Sequence, residues 1–180
     1  RFENGFKCSV SGGRRGLTVP SRWDRGGPLF LIEGGSDTAA LVTMGLSAVG
    51  RPSALGGVSQ LADLIEADVT DDRLIVVVAE DDRLKDGEPR KLPPGHSADC
   101  DGCGSCWPGL IGAKETARQL ADELRRPIAW ALPPDGAKDA REWWNAQPAG
   151  EDAAKLGQQF QSRLLAGLVV VEPSPRLPVV

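Results

Sequence analysis

The sequence predicts an α/β fold: a mostly parallel sheet of four strands with helices on both faces. Two observations carry this. Residues 29–32 and 74–79 are short, unbroken apolar runs, the pattern of strands buried on both sides. Amphipathic segments of helical length alternate with these and later runs, and such alternation is most simply a covered parallel sheet.

The elements follow in order. Residues 6–10 and 16–19 suit two short strands, with Ser11-Gly12-Gly13 as a hairpin turn. Arg14, Arg15, Arg22 and Arg25 make residues 1–27 a locally basic arm. The strand at 29–32 ends at Glu33. Gly34 and Gly35 then allow a tight turn, Ser36 suits a helix N-cap and Asp37 a first turn, so a helix is expected over 38–44. A second strand at 47–49 precedes a loop over 50–57 rich in Gly and Pro. A helix at 58–67 has Val58, Leu61, Ala62, Leu64 and Ile65 on one face. The strand at 74–79 ends at Glu80-Asp81-Asp82. Residues 83–112 read as an irregular insert, 113–125 as a helix and 128–132 as a fourth strand. A loop holding Lys138-Asp139, a short helix at 140–145 and a helix at 151–165 follow, with 168–171 able to form a strand. The domain reading is therefore an arm at 1–27, a core at 28–150 with its insert at 83–112, and a C-terminal helix and tail at 151–180.

Composition narrows the function. The chain has 180 residues, 41% hydrophobic and 26% charged, which suits one globular domain. Its net charge of −4 excludes a generally basic surface, so nucleic acid would have to be met by local patches or metal ions. No apolar run has the length of a membrane span and no signal-peptide pattern opens the chain, so a cytoplasmic location is expected. The first residue is Arg and the end is Pro-rich, which reads as a piece of a longer protein.

In a parallel sheet the C-terminal strand ends share one edge. Glu33 with Asp37, Glu80 with Asp82, and Lys138 with Asp139 are therefore expected to converge there. Crowded carboxylates raise one another's pKa. A divalent cation relieves this, and Mg²⁺ takes one or two carboxylates while water and phosphate oxygens fill its other positions. Lys138 would offset phosphate charge.

These residues resemble a known family. Residues 32–40 (Ile-Glu-Gly-Gly-Ser-Asp-Thr-Ala-Ala), the strand 76–82 ending Glu80-Asp81-Asp82, and Lys138-Asp139 followed by Arg141, Trp143 and Trp144 resemble, in order, the motifs of the TOPRIM domain of primases, topoisomerases and some nucleases. The segment 45–50 and the Lys-Asp element are most similar to the primase-type members. The resemblance covers residues 28–145. It implies a TOPRIM-like, Rossmann-like sheet, with Glu33 as acid/base or metal ligand, Glu80 and Asp82 as Mg²⁺ (or Mn²⁺) ligands, and Asp37 as an auxiliary. The sequence departs from the family pattern in having Glu80 where the family has Asp, and in the long loop after it.

The activity this implies is Mg²⁺-dependent nucleotidyl transfer in RNA primer synthesis, on a single-stranded DNA template with nucleoside triphosphates. The chain would be one domain of a replication protein or mobile-element product. Two alternatives stand beside it: a metal-dependent endonuclease using the same acids with water as nucleophile, and a non-catalytic nucleic-acid-binding module. The chain has no Tyr for topoisomerase chemistry.

The insert adds its own chemistry. His96, Cys100, Cys103 and Cys106 offer one imidazole and three thiolates within eleven residues, a complete tetrahedral set for structural Zn²⁺. An iron–sulfur cluster with Cys8 as fourth ligand, and reduced thiols with no metal, are the alternatives.

Overall fold

The apolar runs become the centre of the sheet. The computed structural model describes residues 2–3, 6–7, 16–82 and 106–176. Strands β1 (Phe2–Glu3) and β2 (Phe6–Lys7) form a small antiparallel pair. The main sheet contains β3 (Leu29–Glu33), β4 (Ser47–Arg51), β5 (Ile75–Val78), β6 (Ile128–Ala131) and β7 (Val169–Val171), in the order β4-β3-β5-β6-β7. The first four are parallel, as expected. The sheet has five strands rather than four, because β7 adds to β6 antiparallel, with Val171 opposite Ile128 and Val169 opposite Trp130.

Helices α1 (Gly35–Thr43), α2 (Val58–Asp68), α3 (Pro108–Leu124), α4 (Ala140–Asn145) and α5 (Ala153–Ala166) cover both faces. Alternation along each strand sorts the side chains. Leu29, Leu31, Val49, Ile75, Val77 and Ile128 pack with Leu61 and Ile65 of α2 and with Ala113, Ala117 and Leu120 of α3. Phe30, Ile32, Val76, Val78 and Ala129 pack on the other face with Leu41, Trp143, Leu156, Phe160 and Leu164, from α1, α4 and α5. Trp143 meets Phe160 edge to face, with ring centroids 5.1 Å apart. Helix α5, after residue 150, is thus part of the core.

Three local expectations change. Among the described residues, Thr18 does not pair with Phe6 or Lys7. It forms an antiparallel bridge to Gly50, with N–H···O bonds of 2.8 Å both ways, so the stretch around Thr18 covers the outer edge of β4; β2 pairs with β1 instead. Gly50 is needed for this approach, since a Cβ there would lie 2.4 Å from Thr38 Oγ1 and 2.9 Å from Thr18 Cβ. Helix α1 starts at Gly35, and its N-cap is Gly34 at φ 77° rather than Ser36. Helix α3 starts five residues earlier than expected, with Pro108 in its first turn, so residues 108–112 of the supposed insert are helical. Ser11, Gly12 and Gly13 lie outside the described residues, as do Arg14 and Arg15.

Close packing of α5 against the end of α1 depends on Gly157, where an added Cβ would lie 2.1 Å from the Met44 carbonyl oxygen. In an open helix Gly→Ala is worth about 1 kcal/mol of stability. Here the clash with backbone outweighs that gain, so Gly157→Ala is expected to destabilise the fold by about 2 kcal/mol, read as a lower midpoint in urea unfolding.

Candidate functional site

Strand β3 lies between β4, which follows it in the chain, and β5, on its other side. The order of connection therefore reverses at β3/β5, and the crevice beyond the C-terminal ends of these two strands is where open α/β sheets bind ligands. Glu33 ends β3 and Glu80 follows β5 by two residues, so the two flank this crevice.

Glu33 is half-buried. Its pKa is raised, first by burial and also by the charges of Asp82 and Asp37, while Arg51 and Lys138 act the other way. Glu80 is also half-buried and raised, first by burial and next by Glu33, with Lys138 opposing. The carboxylates expected to converge therefore lie within each other's electrostatic reach. Lys138 Nζ stands 3.6 Å from Glu80 Oε2 and 3.9 Å from Asp139 Oδ2. The backbone ties these pieces together, since Asp81 N–H donates to the Lys138 carbonyl at 2.7 Å.

Asp82 is committed to α3: its Oδ1 accepts from Gly109 N–H at 2.9 Å, in the first turn of that helix, where a carboxylate is favoured. Trp107 Nε1 donates to the Glu80 carbonyl at 3.3 Å. Gly109 has no room for a side chain, because a Cβ would lie 2.6 Å from the Glu80 carbonyl oxygen and 2.9 Å from Asp82 Oδ1. Among the described residues, no three His, Cys, Asp or Glu side chains are arranged to hold a metal ion by themselves.

Asp37 is buried, and it serves α4 rather than only its own helix. Its Oδ1 accepts from Arg141 N–H at 3.0 Å and its Oδ2 from Ser36 Oγ at 3.2 Å. Burial raises its pKa, and neighbouring Asp139 adds to the rise. Asp139 caps α4 by accepting from Glu142 N–H at 2.7 Å. Asp37 and Asp139 together fix the turn that presents Lys138.

Sequence reasoning missed Arg51, the last residue of β4, which is 1% exposed. It lies opposite Glu33 in the parallel ladder. Its Nη1 donates to the Ala54 carbonyl at 2.6 Å and to Thr116 Oγ1 at 3.2 Å, and its Nη2 to the Val78 carbonyl at 3.3 Å. Burial lowers its pKa to about 10, with Glu33 and Glu80 supporting its charge, so it stays a cation at neutral pH. The Gly50-Arg51-Pro52 stretch read as a loop and gave no signal of a buried charge. Gly109 and Trp107 were missed because they fell within the supposed insert.

Of the cysteine cluster, Cys106 is buried just before α3. His96, Cys100 and Cys103 lie outside the described residues, as does Cys8. No described helix is long and apolar enough to cross a membrane. Comparison with protein-family models, with curated proteins and with solved structures finds no match to this chain.

The raised Glu33 has a consequence for stability. A carboxyl whose pKa is higher folded than unfolded contributes stability at low pH, and that contribution is lost as pH rises through its folded value. At neutral pH the ionised Glu33 is thus a net cost. Glu33→Gln is expected to melt above the wild type at pH 7, with the gap closing as pH falls through the carboxylate range; melting curves at several pH values check this.

Proposed function

We propose that this chain is a primase-like domain of the TOPRIM type, carrying out Mg²⁺-dependent nucleotidyl transfer on nucleic acid. The observation that supports this most is the meeting of Glu33 with Glu80 and Asp82 at the sheet's switch point, beside Lys138. Three short motifs, separated by about fifty residues each, come to one rim in the order the resemblance requires.

The donor set fits Mg²⁺. Two half-buried carboxylates with raised pKa values, Glu33 and Glu80, gain from a nearby cation. Mg²⁺ needs no more than one or two protein carboxylates when phosphate oxygens and water complete its shell. Glu33 and Glu80 would hold the ion, with Asp82 joining if it exchanges its bond to Gly109. The bound ion would supply charge stabilisation for the phosphoryl group in transfer.

The chain's own residues supply the remainder. Where Glu80 and Asp82 hold the ion instead, Glu33 takes the acid/base role, its half-buried carboxylate oxygen accepting the proton of an attacking hydroxyl. Lys138 is exposed and its pairing with Glu80 is loose, so it is free to turn to a phosphate. Asp37, through Arg141, keeps the turn carrying Lys138 in place.

The metal assigned to His96, Cys100, Cys103 and Cys106 is Zn²⁺ in a structural role. Metal analysis of the purified chain is expected to find one zinc, lost on Cys103→Ser; a brown chromophore would assign iron–sulfur chemistry instead.

The test of activity is template-dependent ribonucleotide incorporation with Mg²⁺. Glu33→Gln and Asp82→Asn are each expected to reduce it by about 100-fold or more while the fold is retained. Nicking of DNA without incorporation would move the assignment to an endonuclease. Nucleic-acid binding that neither substitution changes, with no turnover in the wild type, would leave a binding module.

A further inference from the structure

The chemistry just described leaves Arg51 without a part, yet it is a charged side chain buried almost completely beneath the crevice. Parallel strands put directly opposed residues on the same face, so Arg51 and Glu33 share the face covered by α3, as the bond from Arg51 to Thr116 also requires. From there the guanidinium reaches past the end of β3 to the Val78 carbonyl, two residues before Glu80. Its other anchors, Ala54 and Thr116, hold it from the loop after β4 and from α3.

Two features separate Arg51 from Lys138, which with Arg141 is among the exposed cations at the rim. Lys138 is 46% exposed and can move aside, whereas Arg51 is fixed from three elements. Arg51 is also not fully used as a hydrogen-bond donor, because its buried Nε has no partner among the described residues. A buried donor without a partner is costly, and a structural tie alone does not explain retaining it. What Arg51 supplies beyond its bonds is an immovable positive charge beside Glu33 and Glu80.

We propose that Arg51 is a positioning residue that holds down the rim's affinity for a bare divalent cation, so that the metal enters together with phosphate groups. This rests on the reading of the rim as a divalent-cation site. A fixed cation near the carboxylates repels a second one, and in a half-buried site this repulsion is weakly screened. Phosphate oxygens arriving with the metal bring negative charge that offsets Arg51. The crevice is then biased towards metal carried by a nucleotide or by a nucleic-acid backbone.

The experiment titrates Mn²⁺ alone into the full chain and follows free Mn²⁺ by electron paramagnetic resonance. Arg51→Gln keeps a donor and removes the charge, Arg51→Met removes both, and Arg51→Lys keeps the charge. The Gln and Met variants are expected to bind Mn²⁺ about tenfold more tightly than wild type, and the Lys variant within about threefold of it, because the charge rather than the fork of donors sets the affinity. Equal or weaker binding by folded Gln and Met variants overturns the proposal. Should neither of these fold, as judged by circular dichroism, the Lys variant decides: affinity near wild type supports the proposal and a tenfold loss overturns it. Absence of Mn²⁺ binding in every chain overturns the metal reading and this inference with it, whereas equal binding by wild type and the folded Gln and Met variants overturns the inference alone.

Discussion

The register of β3 against its two parallel neighbours is the constraint on which the rim depends. It sets Glu33 level with Arg51 on one side and starts β5 so that Glu80 leaves the sheet on the other. Side chains alternate along a strand, so a slip of one residue in β4 would carry Arg51 to the opposite face and set Gly50 beside Glu33. The burial of Val49 in one core and Ala48 in the other opposes such a slip, because each residue fills a different core. Apolar packing thus fixes the position of charges it never touches.

The charges themselves do not favour folding. Glu33, Asp37 and Glu80 all have raised pKa values with burial as the first cause, and Arg51 is lowered by the same desolvation. Such a group of ionised side chains persists only where the surrounding structure over-determines it. The two apolar layers, one closed by α2 and α3 and the other by α1, α4 and α5, provide that surplus. The backbone bonds from Asp81 to Lys138 and from Arg141 to Asp37 carry it to the rim.

The sheet was legible because its strands are short, apolar and β-branched, and because parallel strands are buried on both faces. The convergence of Glu33, Glu80 and Lys138 followed from topology alone, since parallel strands end on one edge. The parts that were not legible are those where a residue's partner is distant in the chain. Arg51 follows a glycine and precedes a proline, and nothing nearby states that Val78 and Thr116 will surround it. Asp37 has the position of a residue completing its own helix start, but its bond goes to Arg141, 104 residues away. The start of α3 was hidden by Pro and Gly, which mark loops in most settings but here open a helix and permit its close approach to Glu80. The fifth strand was ambiguous because Val169 and Val170 lie on an edge and remain exposed.

Asp82 lies four residues beyond the end of β5, Gly109 in the first turn of α3, and a hydrogen bond of 2.9 Å joins those two residues. The two described ends of the intervening stretch are therefore held together by the fold. Lengthening a closed loop costs little, about 0.6 kcal/mol for each doubling. A change in the length of chain between these two anchor points therefore carries a small entropic cost, so long as Trp107 keeps its place in the core between them.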